Sequence, residues 1–323
     1  MYLCVDLKCG RMAKKGRYRV FKAGALHHIY QRTYDGFLIF YSVRDFLVFF
    51  TLFCTIARKY HIRVLGVCLM YDHIHVLVAA PSKKDLSAFV QEYTCRFSRQ
   101  RNVQYQRKGS FFQRRFGSAP KSGEKKARTA IAYLYNNPVE KKLCKNAEDY
   151  QWDFLTYANN SHPFSQPLKL NGASRPMRRA VAEIKSLRAT DTPLNYATIE
   201  RIIKDLSPSE IKQLTDYTVS SFNCIDYQGL EEYYEDFKTM LTAIHSNTGS
   251  EYDIKEMITP DSDNIFKKML SVIRKMTSYP DMTAVLSLPD SEKQRLAWIL
   301  SAETGASPQQ IAKFLHLSSI SER

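Results

Sequence analysis

Residues 61–80 read HIRVLGVCLMYDHIHVLVAA, and no other stretch narrows the possible folds as much. Two runs rich in β-branched and other apolar residues are separated by Tyr71 and Asp72, which predicts a β-hairpin. Within it GVCLMYDHIHVLVAA, residues 66–80, is almost wholly apolar, yet His73 and His75 stand in its middle. On a strand, residues i and i+2 project to the same face, so both imidazoles point together while Ile74 goes to the other side. Two nitrogens so placed can grip one divalent ion, and Val76, Leu77 and Val78 anchor the strand that holds them. Alone the pair says little. A histidine in an apolar strand is more often a hydrogen-bonded core residue, and two histidines are too few ligands for a metal site.

Other elements surround the hairpin. A basic leader from Arg11 to Lys22 precedes GALHHIYQRT, a first strand closed by the turn-like Tyr34-Asp35-Gly36. Residues 43–60 have helical spacing, with Val43, Phe46, Leu47, Phe50, Phe53, Cys54 and Ala57 on one stripe and Arg44, Asp45, Arg58 and Lys59 off it. Residues 84–100 make a second amphipathic helix, with Leu86, Phe89, Val90, Tyr93 and Phe97 inward. The basic and aromatic segment RNVQYQRKGSFFQRRFGSAPKSG follows. A third helix over about 124–136 is stopped by Asn136-Asn137-Pro138, since a residue before proline avoids the helical region. The order strand, helix, strand, strand, helix, short strand predicts an α+β domain with helices on one face of an antiparallel sheet.

Beyond about residue 160 the character changes. NNSHPFSQPLKLNGASRP reads as a linker, taken as 161–180, and residues 181–323 read as helix after helix. Helix starts are marked by SPSE at 207–210 and SPQQ at 307–310, a Ser before Pro with Glu or Gln three residues on. SEKQRLAWILSAETGASPQQIAKFLHLSS looks like the opening of a helix-turn-helix. Only about one and a half turns remain after Ser318, however, which favours an ordinary helical pair.

A partner for the histidines stands in AIAYLYNNPVEKK, residues 130–142. On a helix Tyr133 and Asn137 lie one turn apart on one face. A Tyr hydroxyl can act as a nucleophile, and an Asn carbonyl oxygen is an acceptable hard ligand for Mg²⁺ or Mn²⁺. Tyr135, the alternative nucleophile, points about 200° away around the helix. Asp72 ranks below Asn137 as a ligand, because a neighbouring strand residue faces away. Equally, Tyr133 and Tyr135 are aromatics of a kind that simply pack.

YHIRVLGVCLMYDHIHVLVAAP, then AIAYLYNNPVEKKL, then DYQWDF, resemble the single-tyrosine HUH transposases of the small insertion-sequence type, especially REP-associated tyrosine transposases. The name HUH denotes His, a hydrophobic residue and His, matched by His73-Ile74-His75. The family's helix motif, a Tyr four residues before an Asn that precedes Pro, is matched by Tyr133 and Asn137-Pro138. RYRVFKAGALHHIYQRT is similar to its opening strand, so the likeness spans about residues 17–157. One departure is Tyr71-Asp72, where such proteins commonly carry Pro-Asn or Pro-Glu.

The resemblance implies a ferredoxin-like, HUH endonuclease-type catalytic domain over 1–160; the helical, mildly acidic stretch over 181–323 with its helix-turn-helix-like end is expected to be an accessory domain. It further implies cleavage and rejoining of single-stranded, hairpin-associated DNA. Tyr133 would form a 5′-phosphotyrosine link, and Mg²⁺ or Mn²⁺ would be held by His73, His75 and Asn137. Rejoining from such a link needs no ATP, in keeping with the lack of a G-x-x-x-x-G-K-[ST] loop. Two rivals are a domesticated hairpin-binding protein that does not cut and an HUH nickase of the replication-initiator or relaxase kind. The intact His73, His75, Tyr133 and Asn137 argue against the first, and the motif order with a single tyrosine before NNP argues against the second.

Charge places the DNA. The chain carries a net +15, but residues 1–150 hold 28 Lys and Arg against 10 Asp and Glu, while 151–323 hold 19 against 22. The basic part is the expected polyanion binder. Its leader offers Arg11, Lys14, Lys15, Arg17, Arg19 and Lys22. Its second segment interleaves Tyr105, Phe111, Phe112 and Phe116 with Arg107, Lys108, Arg114 and Arg115, a mix suited to stacking bases while pairing phosphates. The odd set of seven cysteines without C-x-x-C spacing reads as reduced thiols in a cytoplasmic, nucleoid-associated protein. No secretory signal is legible and no apolar tract reaches the ~20 residues a bilayer requires, so no membrane partner is expected. A monomer is expected over a dimer.

Overall fold

The computed structural model describes residues 20–113, 116–246, 263–276 and 281–320. In chain order the elements are β1 (Leu26–Arg32), α1 (Val43–Lys59), β2 (Arg63–Leu69), β3 (His73–Ala79), α2 (Lys83–Gln104), β4 (Gly117–Lys121) and α3 (Glu124–Glu140). Short 3-10 turns lie between Ala147 and Ala158. Helices follow: α4 (Arg175–Ala189), α5 (Tyr196–Ile203), α6 (Pro208–Phe222), α7 (Tyr227–Glu231), α8 (Phe237–Ser246), α9 (Asn264–Lys275), α10 (Met282–Leu286), α11 (Asp290–Thr304) and α12 (Pro308–Leu315). The α+β class expected for the first part, with helices after it, is what is observed.

The sheet is antiparallel throughout, in the order β2-β3-β1-β4. The β2–β3 hairpin turns through Met70, Tyr71 and Asp72, with Met70 N donating to His73 O at 2.9 Å. Strand alternation then sorts the side chains. Ile29, Gln31, Ile74 and Val76 share the face that α1 and α2 cover, where Tyr93 of α2 donates to Gln31 Oε1 at 2.5 Å. His28, Tyr30, His73 and His75 share the other face, and α3 lies against it. Helices on one face of the sheet therefore describes α1 and α2, whereas α3 crosses the opposite face. Gly66 makes that crossing close: a Cβ there would stand 3.3 Å from the side chains of Leu134 and Tyr135.

Two local expectations change. Asp45, placed off the apolar stripe of α1, is fully buried, as is nearly every residue from it to Ala57. The reason is a further layer: α5 and α6 pack on the side of α1 away from the sheet, so the helix is enclosed all round. The Asp45 carboxylate accepts from the hydroxyls of Tyr105 (2.9 Å) and Tyr196 (2.7 Å) and from the backbone N–H of Tyr41 (2.9 Å). Second, α3 does not stop at Asn136-Asn137-Pro138 but runs through Pro138 to Glu140. Proline in the last turn removes a single backbone donor, and the end is closed by Lys141 N to Asn137 O (3.0 Å) and Leu143 N to Pro138 O (2.9 Å).

The expected linker is partly helix. Ser174 accepts from Met177 N at 3.1 Å and Pro176 sits in the first turn, so α4 starts inside 161–180. Ser207 and Ser307 both form capping boxes, with Glu210 and Gln310. The α11–α12 pair does not project outward. Tyr41 donates to Phe314 O at 2.7 Å, and the rings of Phe37 and His316 stack at 4.4 Å, so α12 is fastened against the β1–α1 connection. The open edge of β2 is bridged by Ile225, with Asp226 N donating to Val64 O at 2.8 Å. Among the described residues no helix is long and apolar enough to cross a membrane.

Candidate active site

β3 and α3 bring His73, His75, Tyr133 and Asn137 together, all of them buried. His73 Nε2 lies 3.3 Å from Asn137 Oδ1, and His75 Nε2 lies 3.2 Å from Asn137 Nδ2. Both Nε2 atoms therefore face one amide across the gap between sheet and helix. The far ring nitrogens are engaged elsewhere. His73 Nδ1 is 2.6 Å from Asp72 Oδ1, and His75 Nδ1 is 3.0 Å from His28 Nε2. A neutral ring that carries its proton on Nδ1 would aim its Nε2 lone pair at Asn137. The Tyr133 ring stands edge-on to His75, at 5.4 Å between centroids and 88° between planes, and edge-on to His28 at 5.7 Å.

Electrostatics favour ligation. Burial first, then His73, His28 and Arg32, hold the pKa of His75 well below its ordinary value. Burial and the nearby Lys121 lower that of His28 to about 3. Both imidazoles are thus neutral at pH 7, the form in which a ring nitrogen binds metal. Burial opposes ionisation of Asp72, but His73 and Lys313 outweigh it and hold its carboxyl well below the usual range. Lys313 Nζ, on α12, is 3.1 Å from Asp72 Oδ2. Burial and the charge of Asp72 push Asp263 up to about 6. Among the described residues no group of three or more His, Cys, Asp or Glu could hold a metal. Two imidazoles and an amide oxygen nevertheless suit a hard or borderline divalent cation, whose remaining positions water or phosphate oxygens would fill.

Residues 23–137 match the IS200-like transposase family. The IS200-like segment runs from just before β1 to Asn137 itself, so it holds both histidines, the tyrosine and the amide. A solved structure described as a REP-associated tyrosine transposase bound to a REP hairpin is similar at 16% identity and a TM-score of 0.38, covering 42% of this chain and 80% of that one. No curated protein matches the chain. Lys313 and Asp263 lie beyond the IS200-like segment, so later parts of the chain have been built onto its site.

Three members of this arrangement were not singled out from sequence. His28 orients His75, Lys313 braces Asp72, and the Tyr30 ring lies 5.1 Å from that of His75. His28 could have been found, because i, i+2 alternation puts it and Tyr30 on one face of β1; nothing local marks Lys313. Tyr135 is kept apart: it donates to Leu65 O at 3.3 Å, and burial pushes its pKa well up.

The residues expected to hold DNA scatter. Lys22 and Lys108 are exposed. Arg107 is tied to Asp35 (3.1 Å) and to Ser110 O (2.9 Å). Arg11, Lys14, Lys15, Arg17, Arg19, Arg114 and Arg115 lie outside the described residues. Half-buried Phe116 lines a groove of about 990 Å³ between α2 and the 109–118 segment, together with Gln31, Lys83 and Arg99. Tyr105, Phe111 and Phe112 are buried and cannot stack on bases from outside. Tyr105 and Phe111 flank the Arg101 guanidinium, which lies 4.4 Å from the Tyr105 ring and 4.3 Å from that of Phe111 while donating to Leu38 O and Ile39 O. A buried arginine needs such aromatic and carbonyl company.

Proposed function

We propose that the protein is a DNA-processing enzyme of the transposase kind, which cleaves and rejoins hairpin-associated single-stranded DNA through Tyr133. The observation that carries this reading is the convergence of the His73 and His75 Nε2 atoms and the Asn137 amide beside the Tyr133 ring, inside a segment that matches IS200-like transposases. The sequence resemblance supplies the hairpin substrate and the polarity of the link.

In this mechanism His73, His75 and Asn137 would hold Mg²⁺ or Mn²⁺, and a bound cation would supply charge neutralisation at a phosphate. Asp72, braced by Lys313, and His28 fix the two rings so that their Nε2 atoms stay aimed at one point. Tyr133 Oη attacks phosphorus. The new bond joins Tyr133 to the 5′-phosphate, the P–O3′ bond breaks, and the O3′ leaving group takes up a proton to become a free 3′-hydroxyl. Rejoining is the reverse, with a 3′-hydroxyl attacking and Tyr133 leaving. A tyrosine ordinarily titrates near pH ~10, so the proton must be drawn off as the bond forms. All four residues meet within the one chain described, as an active site in cis requires.

Labelled hairpin DNA with a single-stranded flank, incubated with Mn²⁺ or Mg²⁺ and run under denaturing conditions, tests the reading. Wild type and Tyr135→Phe should give a covalent protein–DNA adduct, and Tyr133→Phe should give none. Wild type without an adduct would favour a hairpin-binding protein that does not cut, and an adduct formed by Tyr133→Phe would overturn the nucleophile.

A further inference from the structure

α9 presents a cationic face at the rim of the site, and we propose that this face is a track for the sugar-phosphate backbone of the hairpin stem beside the bond that Tyr133 attacks. The proposal rests on the reading of Tyr133 and the two imidazoles as a DNA-processing site. α9 turns Phe266, Met269, Leu270 and Ile273 inward. Its exposed side carries Lys267, Lys268, Ser271, Arg274 and Lys275, and no residue of the helix is acidic. The two cation pairs are seven residues apart, about 10 Å along the helix axis.

This helix is fastened to the site. Phe266 lies 6.1 Å from the ring of Tyr71, the neighbour of Asp72. Asp263 N donates to Lys141 O at 3.2 Å and Lys267 Nζ to Leu143 O at 3.0 Å, both just past the end of α3. Exposed Lys142 and Lys145 lie on the same connection. The acidic groups close by are engaged: Asp263 is buried, Glu148 is paired with His245 at 2.9 Å, Asp149 accepts from Asn146 at 3.1 Å, and Asp281, which lines a pocket with Arg274, is paired with Arg44 at 3.4 Å. Lys267 is committed to the Leu143 carbonyl, which leaves Lys268, Arg274 and Lys275 as the forward cations.

The chemistry of this face selects a stem. Proteins that hold single strands without sequence preference stack bases on aromatic rings. The one aromatic of α9, Phe266, is buried. A row of cations without stacking platforms contacts phosphates alone, which suits a paired stem whose bases are already stacked on each other. The IS200-like segment ends at Asn137, so α9 adds this surface from outside it.

The test uses full-length protein in EDTA, so that binding is read without cleavage. Fluorescence anisotropy on a closed hairpin stem and on oligo(dT) compares wild type with the triple variant K268Q/R274Q/K275Q. A control, R175Q/R178Q/K185Q, removes as many cations from the exposed side of α4, a helix packed on α5 and α6. The α9 variant should bind the stem about tenfold or more weakly at ~0.1 M salt, with the slope of log K against log salt reduced by roughly 2–3. The control, and the α9 variant on oligo(dT), should stay within about threefold of wild type. Stem binding by the α9 variant equal to wild type overturns the proposal, as does an equal loss in the α4 control or on oligo(dT). An adduct assay on a short unpaired oligonucleotide separates the two readings. Loss of stem affinity with the adduct retained supports the track, whereas no adduct from wild type discards the Tyr133 reading and leaves the affinity result to stand or fall on its own.

Discussion

The two faces of β3 are built from alternate residues of one strand, yet they have opposite chemistry. Ile74, Val76 and Val78 face α1 and α2, where burial is apolar and dense. His73 and His75 face α3, where two imidazoles, an amide and a tyrosine ring meet. The apolar face does the holding, and the imidazole face carries the chemistry proposed for Tyr133. Each ring is fixed because the residues on either side of it are locked into the core, and the far nitrogen of each ring is fixed by Asp72 or His28. Stability and activity are thus separated by a shift of one residue.

The largest expected effects come from breaking one face at a time. His75→Ala should reduce adduct formation to background at temperatures where the variant is still folded, because it removes a ring nitrogen as well as packing. Ile74→Ala should cost about 2–5 kcal/mol and still form the adduct below its lowered melting temperature. If Ile74→Ala abolished the adduct at unchanged stability, the division between the faces would fail. Next, Mn²⁺ at about 100 times its Kd should stabilise wild type by ~2.7 kcal/mol, read as a shift in thermal unfolding, and should not stabilise His73→Ala.

A smaller change tests the bracing. Asp72→Asn should weaken Mn²⁺ binding by about 10–100-fold, and Lys313→Met should act in the same direction but less, both measured by calorimetric titration. The smallest effect is on pH. His28 has a folded pKa near 3 and His75 one well below its ordinary value, so the unfolded chain binds more protons as pH falls below about 6.5. Their contribution to stability is full above that pH and is lost below it. Asp263, raised to about 6, acts with the opposite sign, stabilising at low pH and losing that contribution as pH rises through 6. Urea midpoints should drop between pH 7 and pH 5 in wild type, less in His28→Phe and more in Asp263→Asn.

Much of the sheet and the central residues of the site were legible because they depend on short-range periodicity. The i, i+2 spacing of His73 and His75 and the i, i+4 spacing of Tyr133 and Asn137 are local facts, and a strand and a helix bring the two pairs face to face. What escaped notice depends on layers that no local pattern records. Asp45 looked like a solvent-side charge because nothing in residues 43–60 shows that α5 and α6 will cover it. Phe111 and Phe112 read equally as base-stacking or as core residues, because nothing beside them shows that the Arg101 guanidinium lies over the Phe111 ring. Pro138 looked like a stop because its position within the last turn, where a lost donor costs little, is a property of the finished helix. Lys313 was invisible, since a lysine in an amphipathic helix is ordinarily a solvated charge.

The Lys313–Asp72 pair spans 241 positions of sequence. A ribosome adding about 5–20 residues per second would finish the histidine hairpin some 10–50 s before it reaches the residue that braces it. Once Tyr133 has been added, the nascent chain carries the tyrosine and both imidazoles without the clamp on Asp72 until Lys313 follows. Alignment of the proposed ligands is therefore timed by translation itself, waiting until α12 has emerged and folded back.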